Sequence, residues 1–238
     1  GEAAFAHKGG LHVSAVLKDP TSYEHVPPEA VGNRRHIVVS DQGGRANLLA
    51  RFAEIGIDID AGDPKLRTPV DEVKRREFEG YAYDGAEASF ELLARRALGE
   101  VPEFFRMASF RVEVERRRNA AGELTSVSQA VVKLSVGTES TLQVAEGNGP
   151  INALDAALRK ALTPHFPQLD EVRLVDFKVR ILSPQEATAA TTRVMIEHAD
   201  PDGQRWWTVG ISPNIIDAAY EAMNDGITYK LLRSAQRT

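Results

Sequence analysis

The stretch Val144-Ala-Glu-Gly-Asn-Gly-Pro-Ile-Asn-Ala-Leu-Asp-Ala-Ala-Leu158 decides the fold of the C-terminal half of the chain. It has the pattern of a strand that ends in a glycine-rich turn and opens a helix, because Pro is favoured in the first turn of a helix. A looser copy spans residues 209–220, and its Asn-x-x-Asp-Ala-Ala core aligns Asn152 with Asn214, 62 residues later. This internal repeat predicts two equivalent structural units.

Three segments with strand periodicity precede each of these turns. Apolar residues alternate with charged ones from Phe110 to Val114, and again from Val175 to Ile181. The helices that follow the turns have an apolar face, which we expect to cover the apolar face of each sheet. The sequence therefore predicts a two-layer α+β domain over residues 101–238, with βββα units at about 103–166 and 171–236. Strand edges would remain open, and a dimer is a common way to cover them.

The first hundred residues have a different character. Residues 43–100 show helical periodicity and predict a small helical subdomain, whose clearest helix runs from Ala86 to Leu98. Phe90 and Leu93 lie on its apolar stripe, while Glu91 is expected to face solvent. Residues 1–42 are rich in turn formers and polar groups, a composition found in loops that carry function on a scaffold supplied elsewhere.

Composition excludes several functional classes. The 238 residues carry a net charge of −5 and include no cysteine, which argues against a nucleic-acid surface, disulfides, thiolate metal sites and a cysteine nucleophile. No apolar run is long enough for a membrane helix, and the absence of cysteine suits a cytoplasmic protein. The N-terminus has neither an initiator Met nor the features of a signal peptide, which suggests that the sequence begins inside a larger protein.

The motifs resemble those of one enzyme family. The two units, with Gly-Asn-Gly-Pro at 147–150 and Gly-Ile-Ser-Pro at 210–213, resemble the regulatory domain of the 2-isopropylmalate synthase and citramalate synthase family. Residues 4–13, 22–25 and 31–35 resemble the segment after that family's TIM barrel, which homocitrate synthases share, and residues 79–93 are most similar to citramalate synthases.

The resemblance implies an acyltransferase that condenses acetyl-CoA with a 2-keto acid, which is pyruvate for citramalate synthase. It also implies a homodimer that isoleucine or leucine inhibits by binding at the C-terminal domain. The catalytic TIM barrel, which would hold a divalent metal, is absent from this sequence. The segment is therefore expected to hold no metal or cofactor and to be inactive alone.

Two catalytic candidates follow from the resemblance. His12 matches the family's catalytic histidine, and a neutral imidazole suits a base or proton relay near pH 7. Tyr23 matches a tyrosine that assists proton transfer in the neighbouring subunit's barrel. The alternative for His12 is a loop histidine that hydrogen-bonds to the backbone.

The effector candidates lie at the first helix start, where glycines allow close backbone approach and free N–H groups suit a carboxylate. They are Gly147, Gly149, Pro150, Ile151 and Asn152. Thr188 and Thr191 belong to a small, polar segment that could line the pocket for the effector's side chain. The alternative for the glycine-rich residues is an ordinary strand-to-helix turn without a ligand. The alternative for the threonine segment is an exposed strand without a binding role.

Three functions remain open at this point. The first is a citramalate synthase segment with isoleucine feedback, and the second is a 2-isopropylmalate synthase segment with leucine feedback. The third is a stand-alone amino-acid-binding dimerisation module without catalysis. The segment around His12 argues against the third, because a sensor without catalysis has no use for it.

Overall fold

The computed structural model describes residues 5–7, 15–16, 19, 24–33, 36–37, 45–57, 59, 62–63 and 67–236. The chain divides into two compact units, Gly1–Glu100 and Val101–Thr238. None of the helices within these described ranges is both long and apolar enough to span a membrane.

The N-terminal unit is mainly helical. A short parallel pair joins β1 (Ala6–His7) to β2 (His36–Ile37). Three helices follow, namely α1 (Arg45–Glu54), α2 (Arg67–Phe78) and α3 (Glu87–Ala97). The aromatic rings of Phe52 and Phe90 stack at 5.8 Å between their centroids, and both side chains are fully buried. This stack joins α1 to α3, so the helical subdomain that the sequence predicted has its own core.

The expectation that Glu91 faces solvent is wrong. Its side chain is only 2% exposed, and it accepts a hydrogen bond of 2.8 Å from Arg95 Nε one turn later. A second guanidinium nitrogen of Arg95 donates to the carbonyl of Ile55 at 3.1 Å. The carboxylate is buried because Arg95, which reaches from α3 to the end of α1, neutralises it.

The C-terminal unit consists of two βββα repeats, as the sequence predicted. In the first, the antiparallel strands β3 (Arg106–Arg118), β4 (Leu124–Val136) and β5 (Glu139–Gly147) precede α4 (Pro150–Leu162). In the second, β6 (Arg173–Ile181), β7 (Thr192–Ala199) and β8 (Arg205–Ser212) precede α5 (Ile215–Ala235). Each sheet keeps its strands in chain order. The α+β fold class is thus confirmed.

One hydrophobic core holds the two repeats together. It combines the inner rows of the central strands β4 and β7 with the facing sides of α4 and α5. Three alanines, Ala153, Ala157 and Ala161, lie on the buried side of α4, and their small side chains let the helix approach the sheet closely. Each fully buried leucine of this core, such as Leu134 or Leu158, contributes about 1.5–3 kcal/mol of transfer free energy.

The strand register shows which residues of the two repeats are equivalent. Each first strand carries an irregularity at the same place, between Met107 and Ser109 and between Leu174 and Asp176. At the ends of the third strands, Ser128 pairs with Gly147, and Thr192 pairs with Ser212.

This register corrects the alignment that the sequence motif gave. Gly147 and Ser212 are 65 residues apart, and so are the helix N-caps Gly149 and Asn214. The motif places Asn152 opposite Asn214 at 62 residues, three residues out of structural register. The predicted equivalence of these two asparagines is therefore wrong, because three residues along a helix move a side chain by nearly one turn.

Candidate functional site

The first helix start brings five of the predicted effector residues into one tight turn. Gly147 ends β5, Gly149 is the N-cap of α4, and Pro150 is the first helical residue. A Cβ atom on Gly147 would lie 2.5 Å from the Ala153 nitrogen and 2.6 Å from Asn152 Oδ1. Glycine is therefore required at Gly147 because the strand end touches the first turn of the helix.

Asn152 closes the same turn from inside the helix. Its Oδ1 accepts a hydrogen bond of 3.1 Å from the backbone N–H of Asn148. The side chain thus reaches back toward the N-cap, as the third helical residue does in a capping box. This contact gives Asn152 a structural role whether or not a ligand binds.

Gly149 differs from Gly147 in having open space around it. Its backbone is extended (φ −163°, ψ 170°), and a Cβ atom there would meet nothing within 4 Å. No side chain caps α4 from this position. The N-terminus of α4 is consequently open at the point where a carboxylate could approach its N–H groups.

The second helix start differs in that a side chain caps one of its N–H groups. Asn214 Oδ1 accepts from the Ile216 nitrogen at 2.9 Å, which is the usual arrangement of an asparagine N-cap. The N–H of Asn214 in turn donates to Ser212 Oγ at 3.0 Å. The N–H of Ile211 donates to the Glu221 carboxylate at 3.0 Å, which ties the end of β8 to α5.

A cleft of about 480 Å³ lies beside this second helix start. Its volume is within the range of small-molecule sites. One wall is the irregular part of β3, from Met107 to Val112, and the other is the beginning of α5. The ring of Phe110, which lines the cleft, lies 4.9 Å from that of Tyr220. Burial raises the pKa of the Tyr220 phenol to about 12, so this neighbour stays neutral.

The lining of the cleft has the three chemical features that an α-amino acid requires. Met107, Phe110 and Ile216 are apolar, Asp217 is a carboxylate that can face an ammonium group, and the N-terminus of α5 favours a carboxylate. Sequence reasoning missed the β3 wall because no local pattern links a strand to a helix more than 100 residues later. The looser motif copy at residues 209–220 was the signal for the other wall.

The two predicted threonines lie in the connection between β6 and β7. Thr188 belongs to a 3-10 helix, Pro184–Ala189. The N–H of Thr191 donates to Ser183 Oγ at 2.9 Å, and its carbonyl accepts from the Leu182 nitrogen at 2.8 Å. Because Thr192 pairs with Ser212, this connection lies at the same end of the sheet as the second helix start. The structure thus places both threonines in the second repeat, at the same end of the sheet as the helix start that Asn214 caps.

The predicted catalytic residues lie outside the part of the chain that the structure describes. This holds for both His12 and Tyr23, so their roles stay predictions. Among the described residues, no group of three or more His, Asp or Glu side chains could hold a metal ion.

A histidine that the sequence did not single out is buried in the second repeat. His198 stacks on Trp206 with 5.7 Å between the ring centroids, and its Nε2 lies 3.2 Å from Thr208 Oγ1. Burial, assisted by the charge of Arg159, lowers its pKa to about 3. His198 is therefore neutral near pH 7 and serves the core. Trp206 is itself buried.

Comparison with known families matches both units of the chain. The family model described as the LeuA allosteric (dimerisation) domain matches residues 84–231. A second model, described as the homocitrate synthase post-HMGL domain-like region, matches residues 1–77.

Individual relatives extend over nearly the whole chain. The (R)-citramalate synthase of Geobacter sulfurreducens is 48% identical over 236 residues, which cover 99% of this chain and 44% of that protein. The (R)-citramalate synthase of Synechocystis is 47% identical over 231 residues, or 97% of this chain and 42% of that protein. The 2-isopropylmalate synthase of Salmonella arizonae is 27% identical over 225 residues, which cover 94% of this chain and 39% of that protein. The chain thus spans less than half the length of these relatives.

Proposed function

The chain belongs to the citramalate synthase and 2-isopropylmalate synthase family, and we propose that it is the regulatory C-terminal segment of an acyltransferase that makes citramalate. The observation that carries the proposal is the difference in identity, 48% to a citramalate synthase against 27% to a 2-isopropylmalate synthase. Both matches cover more than nine-tenths of this chain, so the difference applies to the whole segment.

In the complete protein, the reaction would join acetyl-CoA to pyruvate. A base removes a proton from the acetyl methyl group, and the resulting carbanion attacks the keto carbon of pyruvate, whose oxygen takes up a proton to become a hydroxyl. Water then hydrolyses the thioester to a carboxylate and free CoA. We assign His12 to the proton transfer at the methyl group, with Tyr23 assisting. The resemblance places the divalent metal, which would hold the keto acid, in a barrel that this sequence does not contain.

The regulatory part of the proposal is that isoleucine binds at the helix starts of the two repeats. The cleft beside α5 supports it through its volume and its lining. The effector's carboxylate would meet the N-terminus of α5, its ammonium group would meet Asp217, and its side chain would contact Met107 and Phe110. The open turn at Gly149 offers a second helix N-terminus for a carboxylate.

A homodimer is the expected assembly, because the matched domain is described as an allosteric dimerisation domain. In such a dimer the Gly149 turn of one copy can combine with residues of another. Thr188 and Thr191 stay candidates for the effector's side-chain pocket on this basis.

The test of the regulatory proposal is the melting temperature of the 238-residue chain with and without amino acids. A ligand at 100 times its dissociation constant stabilises a protein by about 2.7 kcal/mol. For a domain of this size that corresponds to a rise of roughly 5–10 °C. We expect this rise with isoleucine, a smaller one with leucine and none with lysine. A flat response to all three would contradict the proposal.

Leucine is the second candidate effector. The same melting-temperature measurements distinguish it from isoleucine, because the true effector should cause the larger rise. The stand-alone module is the third, and it calls for a different measurement. In the longer protein, acetyl-CoA and pyruvate should together release free CoA, which a thiol reagent detects. His12→Ala should lower this turnover without changing the shift in melting temperature that isoleucine causes. Thermal shifts without any CoA release would favour the stand-alone module.

A further inference from the structure

The edge strand β6 carries an apolar row that nothing in the described part of the C-terminal unit covers fully. Phe177, Val179 and Ile181 are 36%, 46% and 54% exposed. Phe177 pairs with Ile196 and Val179 with Val194, both of which are fully buried under the helices. Because cross-strand partners share a face, the row points to the core side of the sheet, beyond the edge of the core.

The equivalent row of the first repeat is packed at two of its three positions, since Val114, which matches Ile181, is 56% exposed. The matching irregularities align Phe110 with Phe177 and Val112 with Val179. Phe110 and Val112 are partly buried against the core, and Phe110 also meets Tyr220 from the other repeat. Helix α4 packs on all three strands of its sheet, whereas α5 packs mainly on β7 and β8. The two rows therefore differ in how far a helix packs over them, although they have the same strand register.

An open edge strand with an apolar row is a risk for aggregation, and folded proteins generally cover or blunt such an edge. The β6 edge is only partly protected against pairing with another strand. The Asp176 carboxylate accepts a hydrogen bond of 2.8 Å from the N–H of its neighbour Phe177, which occupies that backbone donor. Extension of the sheet by another strand is disfavoured at this point. The row itself stays available for contacts between side chains.

We propose that the row Phe177, Val179 and Ile181 packs against the same row of a second copy of this chain across a two-fold axis. This inference rests on the proposed homodimer and names the surface that forms it. A two-fold contact is self-complementary, so an apolar row is matched by its own copy. A stable dimer buries about 800 Å² on each partner, so the row forms the centre of the contact and its flanks form the rim.

The two repeats supply a matched pair of variants for the test. Ile181 and Val114 occupy equivalent positions on the same face of their sheets, and they are 54% and 56% exposed. Sedimentation of the 238-residue chain measures the dimer dissociation constant of the parent, Ile181→Asp and Val114→Asp. We expect Ile181→Asp to raise this constant at least 30-fold, the effect of losing a central contact, and Val114→Asp to leave it unchanged.

Each outcome separates this inference from the proposal on which it rests. A parent chain that is monomeric at micromolar concentration would overturn the homodimer itself. A dimeric parent with an equally stable Ile181→Asp dimer would overturn only the β6 contact, and so would equal losses in both variants. If Ile181→Asp fails to fold by circular dichroism, Ile181→Asn and Val114→Asn provide the same comparison without an added charge, and unchanged dimerisation in Ile181→Asn would again overturn the contact.

Discussion

The two βββα repeats have the same strand order, the same irregularity in the first strand and the same register, yet they differ wherever a ligand or a partner is expected. The first repeat has an open glycine N-cap and an edge strand whose Phe110 and Val112 pack against the core. The second has an asparagine N-cap beside a cleft and an edge strand whose apolar row is exposed. The shared features build the core, so we expect binding surfaces where the two repeats differ.

Matched substitutions in the third strands, β8 and β5, should show the largest difference in stability between the repeats. Gly210 is equivalent to Ala145, 65 residues earlier. A Cβ atom on Gly210 would collide with the Ala218 carbonyl oxygen and the Ala222 nitrogen, which are backbone atoms of α5. We expect Gly210→Ala to lower the free energy of unfolding by about 3 kcal/mol, since backbone atoms cannot move aside easily. Urea denaturation measures this loss.

Ala145→Gly is the matched control for this prediction. It should cost only about 1 kcal/mol, the ordinary loss for a glycine within an element. If the two changes had equal effects, α4 and α5 would approach their sheets equally closely, and the structural contrast between the repeats would be wrong.

The second prediction compares two glycines of one turn. Gly147→Ala should cost about 2 kcal/mol, because the added carbon would meet the Ala153 nitrogen at 2.5 Å. Gly149→Ala should change stability by less than about 1 kcal/mol, because its surroundings are open and its backbone is extended. Thermal denaturation of both variants checks the difference. A large loss at Gly149 would show that the turn is closed where the structure has it open.

The third prediction concerns His198, whose equivalent in the first repeat is Leu134. The folded pKa of His198 is about 3, below its ordinary 6.5, so only the unfolded chain binds this proton between these values. The free energy of unfolding should therefore fall as the pH decreases below 6.5, by about 2 kcal/mol between pH 7.5 and pH 5.

His198→Leu copies the residue of the first repeat and should reduce this pH dependence by the same amount. Urea denaturation at the two pH values provides the measurement, with Leu134→Met as a control that titrates nothing. An unchanged pH profile in the His198 variant would mean that other groups cause the loss of stability in acid.

The smallest effect should come from the two asparagines that the sequence motif aligned. Asn214→Ala removes an N-cap and should cost about 1 kcal/mol. Asn152→Ala removes one hydrogen bond to Asn148 and should cost about half as much. Melting temperatures of the two variants rank the effects. Equal losses would contradict the different structural roles assigned to the two asparagines.

Sequence periodicity was sufficient for the secondary structure of the repeats. The alternation from Phe110 to Val114 and the apolar face of residues 151–162 both correspond to observed elements, because one-sided burial imposes a period on the chain. The same rule does not identify the buried face of β8. Its apolar alternation at 207, 209 and 211 does not mark the face toward α5, since the register places Trp206, Thr208 and Gly210 opposite His198, Ile196 and Val194.

The candidate site was less accessible from the sequence. Local composition identified the helix starts, because glycine, proline and asparagine have specific backbone roles there. It could not identify the cleft, whose β3 wall becomes adjacent to α5 only through tertiary packing. Nor could it show that Gly147, rather than Gly149, makes the close approach, because that approach depends on the packing of the strand end against α4.

Titration calorimetry with isoleucine tests the central claim most directly. We predict saturable binding of isoleucine to the 238-residue chain, with weaker binding of leucine and none of lysine. Asp217→Asn should weaken binding by roughly 10-fold, since it removes the charge proposed to face the ammonium group. Gly149→Val should also weaken it while leaving the melting temperature nearly unchanged, because the added side chain enters open space. If neither isoleucine nor leucine gave saturable heat, the proposed effector site would be contradicted.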